Sequence, residues 1–432
     1  MDGYETLHAR VTATGTRERV RVNQRNLIDK ILARYSSQFT VFRELIANSD
    51  DAQSTAVCIH FSSLNQTLQS GSNSNSKKGS TSSHPVRVES AINSVVYSNN
   101  GFPFRAQDWN RLKSIAEGNP DEDKIGFFGV GYYAAFSLSE NPGVISAGNA
   151  LVFHWDGDEL YVSNAPASAA FSVEKLGNLS EIDQENDTLF ILPAREPFQM
   201  PDIVELGRFL AASLSFTKTL CQITVYRDNK MILKLSKSLT EPKSLIQAAA
   251  KQESSATALS TSTNNSIFGS LFASVRNSLN NAGTVASNNS KVDKELMSNR
   301  GLFRIFDANE LTLQIRAELS SVSDGKVETG VVFARICRTR VKIQVDSALE
   351  ERMQRVTKKK PPRSADLTFM CPLSVSTEDG IVHATDSRLH RILGSVVPMN
   401  PGTGRIFIGF ETHQTTGCAS HISAPLIPTV ER

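Results

Sequence analysis

An α+β fold is predicted by three observations. Helical and strand periodicities both occur, and they are mixed along the chain without a clean βαβ alternation. Several strand-like runs follow one another across short turns, as antiparallel neighbours do. The helical stretches are apolar on one side only, which suits a layer of helices over one face of a sheet. In order, helices are expected at 24–34 and 39–53 and strands at 55–61, 86–90 and 92–97. Helices at 106–117 and 131–139 follow, then strands near 143–163 and 187–193. A helix and two strands, Gln222–Arg227 and Lys230–Leu235, surround a turn at Asp228-Asn229. Further strands fall at 311–318, 329–336, 341–345, 366–373 and 405–410, with helices near 347–356 and 386–395.

The chain has 432 residues, enough for two domains of ordinary size. We expect the first over 1–200, with a Ser/Asn-rich insertion at 63–84. Residues 201–250 would open a second, smaller α+β domain that continues over 293–432. Between them, 251–292 reads as a low-complexity linker. Within it Ile267, Phe268, Leu271, Phe272, Val275 and Leu279 recur at helical spacing, as in a docking helix or one packed on the chain's own domains.

A net charge of +2 provides no steering field for nucleic acid. No apolar run reaches the roughly 18 residues of a membrane span. The polar N-terminus lacks the apolar core of a secretory signal. The five cysteines are scattered without a C-x-x-C pair, so we expect reduced thiols, no structural zinc and an intracellular site, cytoplasmic or nuclear. The ending at Pro428-Thr429-Val430-Glu431-Arg432 leaves open that the chain is part of a longer protein.

The chemistry concentrates at Arg43-Glu44-Leu45-Ile46-Ala47-Asn48-Ser49-Asp50-Asp51-Ala52. On a helix Glu44, Asn48 and Asp51 stand at i, i+4 and i+7, in one narrow stripe. Phe42, Leu45 and Ile46 fall on the other side. Amide and carboxylate oxygens are hard ligands for Mg²⁺, and a nearby Glu can act as general base. The same spacing also describes an ordinary amphipathic helix. A second motif runs Lys124-Ile125-Gly126-Phe127-Phe128-Gly129-Val130-Gly131 into a helix-like Tyr132–Leu138. Glycines before a helix N-terminus let backbone amides approach a phosphate. No Walker A loop occurs, and the glycine spacing is not that of a Rossmann fingerprint. A third segment, Val95–Pro103, is an apolar strand running into a turn at Asn99-Asn100-Gly101. A fourth begins a buried strand at Asp187-Thr188.

In this order the four segments resemble the GHKL ATPases, over about residues 25–195. They look most like the 90-kDa heat-shock chaperones and the sacsin and No Vein proteins. Beyond residue 200 the resemblance is loose, as at Thr412–Gly417. It implies a two-layer GHKL (Bergerat) sandwich that binds ATP with Mg²⁺. Glu44 would be the general base, and Arg43 would hold it in place. Asn48 would ligate Mg²⁺, and Asp51 would line the pocket. Gly126, Gly129, Val130 and Gly131 would form the phosphate-facing end of a lid around 104–130. Asn99, Gly101 and Thr188 would form the adenine end. Lys124 is our own candidate for a phosphate contact, although a solvated lysine is the reading the sequence favours. Lys358, Lys359, Lys360 and Arg405 are candidates to reach back to the γ-phosphate. The family places Asp where Asn99 stands and favours Gly where Pro103 stands. Asn keeps a carbonyl acceptor and adds a donor, but gives up the charge-assisted bond. Two functions follow from these residues. One is a slow ATPase whose nucleotide state drives a chaperone-like or switch-like change in shape, acting on a protein client or partner, with no nucleic acid bound and no membrane span expected. The other is a non-catalytic scaffold of the same fold.

Overall fold

The computed structural model describes residues 2–18, 22–33, 39–63, 91–114, 131–170, 179, 181–183, 186–245, 303–321, 325–357, 360–373, 383–384, 387–398, 400, 402–409 and 411–424. The first half contains α1 (Asp2–Thr14), α2 (Gln24–Leu32), α3 (Thr40–Asp51), β1 (Ala56–Ser63), β2 (Ile92–Asn99) and α4 (Ala106–Leu112). A 3-10 helix (Gly131–Ser137) follows, then β3 (Gly143–Ser146), β4 (Asn149–Asp156), β5 (Glu159–Pro166), α5 (Ala167–Ala170) and β6 (Thr188–Phe198). Next come α6 (Ile203–Phe216), β7 (Gln222–Arg227), β8 (Lys230–Leu239) and β9 (Lys243–Ser244). The remainder is β10 (Phe303–Ser320), β11 (Val327–Ile343), α7 (Ser347–Thr357), β12 (Ser364–Pro372), β13 (His383–Ala384), α8 (Ser387–Gly394), β14 (Arg405–Phe407), β15 (Glu411–Thr415) and β16 (His421–Ser423).

The fold is mixed helix and sheet, with one large sheet among the described residues. Its path runs β15-β14-β16-β12-β11-β10-β8-β7-β1-β2-β6-β3-β4-β5, while β9 and β13 pair at the side with β10 and β11. Most pairs are antiparallel. The exceptions are β1 with β7 and β14 with β16, which run parallel. The β7–β8 hairpin expected to begin a second domain lies between β1 and β10, in the same sheet. Its turn needs left-handed backbone at Asp228 (φ 49°) and Asn229 (φ 61°), which short polar side chains tolerate. Asp228 also accepts the Ser63 N–H at 2.8 Å, tying the hairpin to the end of β1.

Local chemistry explains the helix starts. Asn23 caps α2 by accepting the Asn26 N–H at 2.8 Å. Asp202 caps α6 by accepting the N–H groups of Val204 and Glu205, both at 3.0 Å. Asp108 accepts the Arg105 N–H at 2.9 Å to close a capping box on α4. Phe39, at the N-cap of α3, makes no side-chain capping hydrogen bond. Packing holds α3 instead, as Val41, Phe42, Leu45 and Ile46 are all buried. Phe42 meets Phe61 of β1 edge-on at 5.9 Å. One buried apolar cluster runs from Ile28 and Phe42 through Leu206 and Leu210 of α6 to Ile315 of β10 and Ile392 of α8.

Three expectations are corrected. The strands expected at 329–336 and 341–345 are one strand, β11, paired with β10 along its length. The helix expected after Gly131 has 3-10 geometry. No helix was expected at α1. The expected strand at 86–90, the insertion at 63–84, the linker at 251–292 with Phe268 and Phe272, and most of the proposed lid lie outside the described residues. No helix among the described residues is long and apolar enough to cross a membrane. The five cysteines are free thiols.

Candidate functional site

The site is built around α3. Its apolar residues grip the sheet, which turns the opposite stripe outward. Asn48 is exposed there, and Glu44 and Asp51 are half-buried. The Arg43 guanidinium donates to Glu44 Oε1 at 3.3 Å, with each side chain 14% exposed. Beside them begins the 3-10 helix. A Cβ on Gly131 would stand 2.6 Å from Glu44 Oε2. Only a residue without a side chain lets the backbone come this close to the carboxylate. Ser49, on the inner side of α3, bonds the Tyr97 hydroxyl at 2.8 Å and anchors the helix to β2. Burial pushes the Tyr97 phenol far above its usual range, so it stays neutral.

At the end of β2 the chain turns sharply against α3. A Cβ on Gly101 would meet Ala52 O at 2.8 Å and Asn99 Oδ1 at 3.0 Å. Phe102 donates its N–H to Ala52 O at 2.8 Å. Asn100 Oδ1 accepts from Ser54 Oγ and from the N–H groups of Thr55 and Ala56, at 2.8, 2.9 and 2.9 Å. The turn after α3 and the turn after β2 are thus one hydrogen-bonded unit.

Asn99 and Thr188 are direct cross-strand partners in the β2–β6 register. Both are buried, at 4% and 1% exposure. Asn99 Oδ1 accepts the Gly101 N–H at 3.1 Å. Thr188 Oγ1 bonds Ser146 Oγ at 2.7 Å, and Ser146 Oγ accepts the Phe104 N–H at 3.0 Å. Desolvation raises the pKa of neighbouring Asp187. Ser146 and Phe104 were not singled out from sequence. Ser146 merely ends a short strand, and no motif marks it.

Of the residues expected at the site, Arg43, Glu44 and Gly131 are brought together, as are Asn99, Gly101 and Thr188. Lys124, Gly126, Gly129 and Val130 lie outside the described residues, as do Lys358 and Lys359. Lys360 pairs with Glu350 at 3.4 Å, and Arg405 pairs with Glu411 at 3.6 Å.

Among the described residues no group of three or more His, Cys, Asp or Glu side chains could hold a metal ion. A Mg²⁺ that takes most of its ligands from phosphates and water needs fewer protein oxygens. The exposed Asn48 amide, with the Glu44 carboxylate one turn away, fits that smaller requirement.

Residues 22–246 match the family model described as the sacsin domain, and residues 214–432 match one described as a protein of unknown function (DUF3684). Each match covers more than half of the chain, which therefore belongs to the sacsin-domain family and carries a DUF3684 region after it. No curated protein matches. Among solved structures, the N-terminal domain of a DNA repair protein is similar at 12% identity and a TM-score of 0.28, over 49% of this chain and 56% of that one. The topoisomerase IV ATP-binding domain of Francisella tularensis, solved with a small-molecule inhibitor, is similar at 14% identity and a TM-score of 0.26, over 46% of this chain and 88% of that one. The chain thus spans little more than half of the first structure.

Proposed function

We propose that this chain is an ATP-binding module of the GHKL type, and a slow Mg²⁺-dependent ATPase whose nucleotide state changes how its two halves dock. The observation that carries this reading is Glu44 held by Arg43 on the outward stripe of α3, with Asn48 one turn further on and Gly131 against the carboxylate. In this reading Glu44 takes the proton of the attacking water. Arg43 keeps the Glu44 carboxylate oriented. Asn48 offers its amide oxygen to Mg²⁺, which when bound would neutralise phosphate charge. The Asn99–Thr188–Ser146 cluster receives the base. Phosphoryl transfer in such a site is mostly positioning and electrostatics, so a slow rate is compatible with it. The output is a change of shape in the DUF3684 half, passed to a protein partner.

One observation favours a second reading, a scaffold that binds nucleotide weakly or not at all. Asn99 has no ionised oxygen, and its carbonyl already accepts the Gly101 N–H. Titration of the purified chain with labelled ATP, with and without Mg²⁺, separates the two, together with phosphate release by wild type and Glu44→Ala. The ATPase reading expects Mg²⁺-dependent binding in both proteins. It also expects phosphate release slower by about a hundred-fold or more in the variant, the usual worth of a general base. Equal release by both would remove Glu44 from the chemistry. Absence of binding by wild type would leave the scaffold.

A further inference from the structure

Asp50 and Lys237 grip the same short loop from two sides. The loop, residues 217–220, joins the end of α6 to β7. Asp50, in the last turn of α3, is 8% exposed. Its carboxylate accepts the N–H of Lys218 at 2.8 and 3.0 Å, of Thr219 at 2.8 Å and of Leu220 at 3.1 Å, and the Thr219 hydroxyl at 2.9 Å. Lys237, on β8, is 6% exposed. Its ammonium donates to Thr217 O at 2.8 Å and to Thr217 Oγ1 at 2.7 Å. One carboxylate therefore gathers the loop's donors, and one ammonium gathers its acceptors. A cation also suits the negative end of the α6 dipole.

The connections continue on both sides. Cys221 and Gln222 donate their N–H groups to Thr55 O, in the turn after α3, at 2.9 and 3.0 Å. The Lys237 N–H donates to Cys221 O at 2.7 Å. In the β8–β10 register Lys237 stands opposite Ile315. The loop and Lys237 lie in residues 214–246, where the sacsin and DUF3684 matches overlap.

A lysine here is costly as a stabiliser. Burial drives its pKa down to about 8, although Cys221 and Asp50 pull it up, while Arg338 pushes it further down. An apolar side chain of similar length would fill the space without that penalty. What the ammonium adds is direction, through two fixed hydrogen bonds.

We propose that the Asp50–loop–Lys237 grip is a positioning device that holds the end of α3, and with it Glu44 and Asn48, in register with β8 and β10. Lys237 is then a positioning residue for the α3 site, which it does not touch. Movement of β10 relative to α3 passes through this loop, so the DUF3684 half and the α3 site influence one another here. The link to nucleotide rests on the reading under Proposed function. The mechanical grip does not.

The test is hydrogen exchange on the full chain without nucleotide, comparing wild type with Lys237→Met, Thr219→Val and Thr219→Ser. The grip predicts amides in 48–55 exchanging about ten-fold faster in Lys237→Met and Thr219→Val, as local opening becomes easier. Exchange in the β4–β5 hairpin should be unchanged. Thr219→Ser keeps the hydroxyl and should restore the wild-type rate, which loss of packing alone would not allow. Faster exchange confined to 217–221, with 48–55 unchanged, would overturn the proposal. ATP affinity is measured in parallel. Failure of wild type to bind ATP would count against the nucleotide reading alone, and the exchange rates would still decide the grip.

Discussion

Gly131 leaves no room for a side chain on the flank of Glu44, because a methyl there would sit 2.6 Å from the carboxylate oxygen Oε2. That oxygen ends a flexible side chain, so Gly131→Ala would be relieved by moving the carboxylate and not by unfolding the 3-10 helix. The variant should therefore keep its thermal midpoint to within a few degrees, the effect of about 1 kcal/mol or less. Phosphate release should fall by about a hundred-fold, since a misplaced base loses most of its contribution. Parallel melting and phosphate-release assays check this. A large loss of stability with an unchanged rate per folded molecule would mean that the contact serves folding only.

Asn48 presents the complementary case. It is exposed on α3, and the packing of α3 rests on other residues. Asn48→Ala should leave thermal unfolding unaltered and abolish the Mg²⁺-dependent part of ATP binding. Calorimetric titration with and without Mg²⁺ is the measurement. Unchanged affinity in a normally folded variant would remove Asn48 as the metal ligand.

At the other end of the site, the Asn99 carbonyl accepts the Gly101 N–H at 3.1 Å. A half-turn of the Asn99 amide would present the hydrogen-bond pattern that suits guanine in place of the one that suits adenine. In the structure that turn forfeits the Gly101 bond, worth about 1 kcal/mol. Asn99 should therefore prefer one base more than a freely rotating amide would. Asp at this position can accept from Gly101 with one oxygen and from the adenine amino group with the other. Asn99→Asp should tighten ATP by about 1–2 kcal/mol and sharpen selection against GTP. Competition binding of ATP and GTP to both proteins checks it. An unaltered ATP/GTP ratio would put Asn99 outside the base pocket.

The sequence made helix α3 legible because its apolar residues and its polar stripe obey one period. The same logic mistook β11 for two strands. Arg338, Thr339 and Arg340 look like a polar break, yet they pair with β10 on one side and β12 on the other. Arg340 is satisfied by Asp366 at 2.7 Å, so charge at that point continues the strand. Asp50 was passed over in favour of Asp51 because the helical stripe selects only the outward face. Its partners at 218–220 lie about 170 residues away, and no local pattern encodes them. Ser146 escaped for the same reason, since it matters through Thr188 and Phe104. Local periodicity places elements, whereas the polar contacts that join distant elements emerge only when the chain is folded.

Lys237 gives a prediction whose sign follows from linkage. Its pKa falls from the ordinary 10.5 to about 8 because burial disfavours the charged form. Below pH 8 the folded protein carries the buried charge at a cost of about 3 kcal/mol. Between about 8 and 10.5 the unfolded chain binds the proton more tightly than the folded one, so stability contributed by this group rises with pH. From pH 7 to 9 the rise amounts to about 1 kcal/mol. The buried thiols act oppositely at higher pH. Burial raises Cys337 and Cys371 to about 11, so their contribution falls as pH climbs past the ordinary 9.0. Comparing wild type with Lys237→Met cancels the thiol effect. Denaturant unfolding at pH 7, 8 and 9 should show the variant losing about 1 kcal/mol of stability relative to wild type as pH rises, so that an advantage over wild type shrinks and a deficit grows. A difference between the two proteins that stays constant across this range would mean that Lys237 keeps an ordinary pKa and carries no burial penalty.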